Sequence, residues 1–195
     1  MTTAEAPAED VDAHNHDVEE HPSSVRNIVE WVVILGGALL VAVLVKSFLF
    51  QAFFIPSGSM EDTLQIHDRV LVNKLSYKLH DIHRGDIVVF ERPPKETDPT
   101  IKDLIKRVIA VGGDTIESQS SVILVNGKPV DEPYRKTAAL GTAVEKQTIP
   151  AGMIWVMGDN RTNSSDSRVF GPIASSSVVG RAFVRIWPLG SLGLL

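Results

Sequence analysis

Val178-Val179-Gly180-Arg181-Ala182-Phe183-Val184-Arg185-Ile186-Trp187 decides the fold class. Val178, Gly180, Ala182, Val184 and Ile186 recur at a period of two and are all small or apolar, while Arg181 and Arg185 fall on the opposite side. A helix would scatter these residues around its axis, whereas an extended strand gathers them on one face that packs on a sheet. Shorter β-like runs recur at 69–75, 86–90, 104–111, 122–125 and 153–157. Between Val122-Ile123-Leu124-Val125 and Lys128-Pro129-Val130 stands Asn126-Gly127, the dipeptide of a two-residue hairpin turn. Gly112-Gly113-Asp114 precedes this hairpin and Gly158-Asp159-Asn160 follows it. Residues 116–150 therefore read as a small β lobe inserted into a β domain built from 53–115 and 151–195.

Upstream of the β runs the pattern is different. Residues 31–45 are uncharged and apolar, and the run continues past Lys46 and Gln51 through Phe53-Phe54-Ile55. About 20 such residues in a helix cross a hydrocarbon core of about 30 Å. Lys46 lies one turn from the end, where its ammonium can snorkel to water. The run is apolar on every face, unlike the one-sided stripe of a core helix. Its leading flank is acidic and no small-x-small site follows within 45–54, which points to a retained anchor rather than a removed leader. A transmembrane helix is expected over 26–52. Arg26 before the span and Lys46 near its end leave the positive-inside rule undecided.

Residues 1–25 have the composition of a disordered acidic tail, unable to bury enough surface to offset ordering entropy. His14, His16 and His21 lie there at irregular spacing and read as solvated residues rather than a metal cluster, so no metal ligand and no cofactor is assigned. The first 30 residues hold eight acids and only Arg26; with −5 over all 195 residues, the remainder carries +2. That near-neutral body has no footprint for nucleic acid. Cysteine is absent, which excludes disulfides, thiolate catalysis and thiolate metal sites. The expected fold class is mainly β: an N-terminal transmembrane helix, then a β-sheet domain with a small inserted β lobe.

Four segments could carry chemistry: Pro56-Ser57-Gly58-Ser59-Met60, Arg84-Gly85-Asp86, Lys106-Arg107, and the polar stretch 158–168. Each alone has a plain explanation as a turn, a strand start or an Asx-rich loop. Lys106 tips the balance, because in a strand it shares a face with Leu104, Val108 and Ala110, where its ammonium either escapes along the sheet to water or is buried. Burial there penalises the ammonium and lowers its pKa from about 10.4 toward neutrality, leaving an amine able to act as a general base. Ser59 is the candidate nucleophile, a hydroxyl that needs such a base. The Ser59 amide and the Ser57 hydroxyl could form an oxyanion hole in the same turn. His67, His80 and His83 gather in one polar stretch, and a Ser-His-Asp arrangement stays open as an alternative. Ser59 follows the apolar run by about nine residues at ~3.3–3.6 Å each, which suits a substrate tethered in a membrane.

From Ile28 to the C-terminus these segments, in this order, resemble the bacterial type I signal peptidases. Phe54-Ile55-Pro56-Ser57-Gly58-Ser59-Met60 with Thr63-Leu64 is similar to the nucleophile box, and residues 68–71 and 84–90 to the strand boxes. Ile105-Lys106-Arg107-Val108 with Gly112-Gly113-Asp114 resembles the lysine box; Gly158-Asp159-Asn160-Arg161 through Ser164 and Asp166-Ser167-Arg168 resembles the last box. The resemblance implies a serine endopeptidase using Ser59 and Lys106, with Ser57 completing the oxyanion hole. It implies that Ser164 orients the Lys106 amine, that Asp166 and Arg168 form a supporting ion pair, and that Asp159 and Asn160 support the same box. Substrates would be secreted preproteins with small residues at the first and third positions before the cut. Shallow pockets for those residues would be lined by Phe53, Ile55, Met60, Leu64, Val70, Val89 and Ile105. The N-terminus would lie in the cytoplasm and the catalytic body outside the plasma membrane, with membrane lipid and the translocation machinery as further candidate partners. A single span and a small lobe look like the Gram-positive and actinobacterial forms. Asp62, His67 and Thr162 depart from the usual proline, glycine and aspartate. A specialised processing peptidase, a repressor-type self-cleaving protease and a tethered β domain that binds extended peptides without cutting them are the alternatives.

Overall fold

The computed structural model describes residues 24–195, so nearly all of the tail expected over 1–25 lies outside the described residues. The chain divides into a unit ending at Val41 and a unit spanning Ala42–Leu195. Helix α1 (Ser24–Phe48) contains the apolar stretch Val25–Val45, 21 residues long and exposed along its length. At 1.5 Å per residue that stretch is about 30 Å, the thickness of a hydrocarbon core.

The helix ends before the expected boundary at 52. After Phe48 the chain becomes strand β1 (Phe50–Phe54), which pairs with strand β2 (Arg69–Asn73) from Phe50↔Asn73 to Phe54↔Arg69. The continuation of the apolar run is thus part of a sheet, where its aromatic residues suit a pleated surface and the β2 ladder satisfies its backbone.

The one-turn helix α2 (Ser76–Leu79) leads to strands β3 (Ile87–Glu91) and β4 (Asp103–Val111). There follow β5 (Thr115–Gln119), β6 (Val122–Val125), β7 (Lys128–Pro129), β8 (Gln147–Thr148) and β9 (Met153–Met157). The short helix α3 (Ser167–Phe170) precedes β10 (Ile173–Ala174), β11 (Val178–Trp187) and β12 (Gly193–Leu194). The larger sheet is antiparallel in the order β1-β2-β11-β3-β4-β9-β10, with β12 also paired to β11. Gly180 and Ala182 of β11 are buried as the alternation requires. Register shifts against β2 at Ala182/Val184 and Arg185/Trp187 then break the pattern, and Val184 and Ile186 are only partly buried.

The smaller sheet runs β7-β6-β5-β8. Asn126 and Gly127 take φ of 55° and 75°, the left-handed pair that a tight hairpin turn demands. The Asn126 side chain accepts the Thr115 amide at 2.8 Å and donates to Asp114 at 3.0 Å. Ile116, Ile123, Leu140 and Val144 of this lobe share one core with Ile109, Ala110, Trp155 and Met157 of β4 and β9. The two faces of the larger sheet bury separate clusters, with Ile87 and Val89 in one and Val88 and Phe90 in the other. Strand β4 lies between β3 and β9, near the middle of the sheet. Leu104 and Val108 stay on one face, but a register shift between Val108 and Ala110 turns Ala110 into the lobe core. The face expected to hold 104, 106, 108 and 110 therefore ends at 108.

Candidate active site

The chain leaves β1 through Ile55, whose N–H donates to the Asp68 carbonyl at 2.9 Å and whose carbonyl accepts the His67 N–H at 2.8 Å. Thus anchored, it passes Pro56 and tightens into a single 3-10 turn, Gly58–Met60, with Met60 fully buried beneath. Ser59 lies on this turn, 8% exposed. Lys106 sits opposite Val88 in the β3–β4 ladder and is 3% exposed. Its Nζ reaches the Ser59 Oγ at 2.8 Å and donates to the Ile105 carbonyl at 2.9 Å. A strand in the sheet interior and a turn at its end thus meet side chain to side chain.

Burial pulls the Lys106 pKa down to about 8, against the opposing pull of the Asp166, Glu96 and Asp159 carboxylates. At pH 7 roughly a tenth of such an amine is neutral. Two of those carboxylates are held by arginines. Asp159 accepts Arg107 Nε at 2.9 Å and Nη2 at 2.7 Å, and also the Thr63 hydroxyl at 2.5 Å. Asp166 accepts Arg168 Nε at 2.8 Å and Nη2 at 2.7 Å, caps α3 through the Arg168 amide, and accepts the Gly158 amide at 3.0 Å. Burial pushes the Asp166 carboxyl up, but the Arg168 guanidinium and the Gly158 amide outweigh it and hold the group below its ordinary value.

Asn160 fastens the polar loop to the Gly58–Met60 turn. Its side-chain amide donates to the Gly58 carbonyl at 3.1 Å and to Glu61 at 3.0 Å, and its backbone N–H donates to the Ser59 carbonyl at 3.2 Å. A Cβ on Gly158 would collide with the Ser59 carbonyl and the Ser164 side chain, so only glycine lets the two segments pack this closely. Ser57 is exposed beside the turn, its hydroxyl not engaged in capping. Ser164 departs from the expectation that it bonds Lys106. Its Oγ is buried without a hydrogen-bond partner among the described residues.

The seven expected pocket residues lie mostly in the core. Ile55, Met60, Leu64, Val70 and Val89 are at most 2% exposed and form one core cluster, with Phe53 and Ile105 packed against it as partly buried neighbours. Of the seven, Ile105 alone lines the cleft of about 660 Å³ at the Ser59–Lys106 pair. The loop between β3 and β4 adds Glu96, Asp98, Thr100, Ile101 and Lys102 to that wall, and the polar loop adds Asn163 and Ser165. Apolar residues around the Ser59 turn first satisfy the core, and the sequence does not mark which loop will line the cleft.

Several supporting residues went unread in the sequence. Arg107, on the opposite face of β4 from Lys106, needs an acid when buried, and that signal was available. Its guanidinium also covers the Tyr134 ring at 3.9 Å. Glu132 in the lobe pairs with Arg161 and Arg135, and Arg161 donates to the Gly158 carbonyl at 3.0 Å. Nothing local in the sequence ties residue 132 to 161. Of the noted departures, Asp62 and His67 take φ of 86° and 75°, and the Asp62 carboxylate accepts the Lys136 amide at 3.0 Å. Thr162 donates to the Asn160 side-chain carbonyl at 3.3 Å.

The sequence model of a family described as "Signal peptidase, peptidase S26" matches residues 28–187. A signal peptidase I of the cyanobacterium Leptolyngbya laminosa is 35% identical over 177 residues, covering 89% of this chain and 87% of that protein. A signal peptidase I of Mycobacterium tuberculosis is 31% identical over 230 residues, covering 91% and 78%. Signal peptidase IB of Staphylococcus aureus is 34% identical over 180 residues, covering 84% and 91%. A hydroxyl and a buried amine in contact, within a chain matched along most of its length by these enzymes, lead to one conclusion: the chain belongs to the signal peptidase family S26, serine peptidases that remove signal peptides from preproteins.

Proposed function

We propose that Ser59 is the nucleophile and Lys106 the general base of this signal peptidase. The 2.8 Å approach of the two side chains, both nearly closed to solvent, carries the assignment. Neutral Lys106 takes the hydroxyl proton as Ser59 Oγ bonds to the scissile carbonyl carbon. The Ser59 amide and the Ser57 hydroxyl stabilise the oxyanion that forms. Lys106 then delivers its proton to the departing amine as the C–N bond breaks, leaving an ester on Ser59. Water attacks that ester with Lys106 again accepting the proton, releasing the signal peptide as a carboxylic acid and restoring the hydroxyl.

Asn160 and the Arg107–Asp159 and Arg168–Asp166 pairs hold the two segments in register. The substrate lies extended in the cleft and is cut after a small-x-small sequence of the Ala-x-Ala kind. Helix α1 anchors the chain in the plasma membrane lipid, N-terminus in the cytoplasm and catalytic body outside, where emerging preproteins and the translocation machinery meet it. The test is cleavage of a preprotein bearing an Ala-x-Ala site by detergent-solubilised protein, with the cut mapped by mass. Ser59→Ala and Lys106→Ala are each expected to lower kcat by about 10³-fold or more. Full-rate cutting by Lys106→Ala would rule out the pair.

A further inference from the structure

Residues 92–102 join β3 to β4 and wall the cleft, and one side chain latches this loop to the polar loop ahead of α3. Glu96 is 6% exposed. Its carboxylate accepts the Ser165 hydroxyl at 2.5 Å and the Asp98 amide at 3.3 Å. Its carbonyl accepts Arg92 Nη1 at 2.8 Å, which closes the loop on itself.

Charged groups lie around Lys106 on three segments. Asp159 and Asp166 come from the polar loop, each held by two bonds from an arginine. Glu61 lies beyond the nucleophile turn on Asn160, and Asp98, Lys102 and Asp103 lie along the cleft. Only Asp166, Glu96 and Asp159 pull appreciably on the amine. Of these three, Glu96 alone has no cation in ion-pair range among the described residues. A carboxylate against a guanidinium acts at a distance as a dipole, whereas an unpaired one acts as a charge and reaches further. The Ser165 hydroxyl holds the Glu96 carboxyl below its ordinary value, so it stays ionised at neutral pH.

We propose that Glu96 is a positioning residue for the reaction: through Ser165 it fixes the cleft wall on which the extended substrate lies, and its unneutralised charge faces the Lys106 amine. The charge keeps more of the amine protonated near neutrality and so sets the pH at which the base becomes available. This inference rests on Lys106 as the general base.

The experiment follows kcat and KM from pH 5.5 to 10 for the full chain in detergent on a preprotein substrate. Glu96→Gln still accepts the Ser165 hydroxyl but lacks the charge. Its acid limb is expected to move toward lower pH by about half to one unit, discounted for screening at the cleft rim, with KM unchanged. Well below the limb its rate then exceeds wild type by roughly threefold to tenfold. Ser165→Ala keeps the charge and loses the latch, so KM is expected to rise severalfold while the limb stays. Glu96→Asp, charged but too short to hold Ser165, is expected to follow Ser165→Ala. An unmoved limb in Glu96→Gln or an unmoved KM in Ser165→Ala overturns the proposal. A wild-type profile with no acid limb instead removes Lys106 as the base, a failure distinct from either.

Discussion

Lys106 is kept where a lysine is least at ease. Its folded pKa of about 8 lies below that of an unfolded chain, so below pH 8 the folded state carries the full penalty of a buried ammonium. Between pH 8 and about 10.4 the unfolded chain binds more protons, and stability rises with pH across that window. Lys106→Met fits the same space without charge and is expected to be inactive yet more stable by about 1–3 kcal/mol at pH 7. Thermal unfolding at several pH values checks this, since the gain should fade above pH 10; a variant less stable than wild type at pH 7 would show that the lysine is not strained. Both members of the pair were legible in the sequence, Lys106 from its strand parity and Ser59 from its Pro-Ser-Gly-Ser turn. Glu96 was not, because its partner Ser165 lies 69 residues away and no local pattern marks the contact.

At the scale of elements, strands with clean alternation could be read from the chain, and those whose signal merged with a neighbour could not. Residues 122–125, 153–157 and 178–187 coincide with β6, β9 and β11. Strand β1 was hidden because Phe50–Phe54 continues an apolar run, and hydropathy does not separate an aromatic strand from the end of a helix. The shift in β4 after Val108 was equally invisible, since Ile109 and Ala110 fit either face. The hairpin turn offers a test of local backbone chemistry. A Cβ at Gly127 meets nothing within 4 Å, so only its φ of 75° opposes substitution. Gly127→Val is expected to cost about 1–2 kcal/mol, seen as a lower Tm, while cleavage at a temperature where both proteins are folded is unchanged. An unchanged Tm would mean that the turn does not hold this geometry.

For the whole molecule, the roles of the helix and the β body can be separated by experiment. If α1 serves to hold the enzyme beside tethered substrate, removal of residues 1–48 should leave kcat/KM on a short soluble peptide near the full-length value and reduce cleavage of a vesicle-embedded preprotein by roughly 10²-fold. Equal losses on both substrates would mean that the helix supports the fold of the body instead. The two arginine–aspartate pairs beside Lys106 have a consequence at this scale too. In the Arg107–Asp159 and Arg168–Asp166 pairs neither aspartate side chain is exposed, and the arginines are 11% and 3% exposed. A Debye length shrinks from about 10 Å at 0.1 M ionic strength to about 3 Å at 1 M, but mobile ions screen only where they can enter. Above the acid limb, where the amine is already neutral whatever the Glu96 charge does, the turnover number on a neutral peptide should therefore hold nearly level between fresh water and brine.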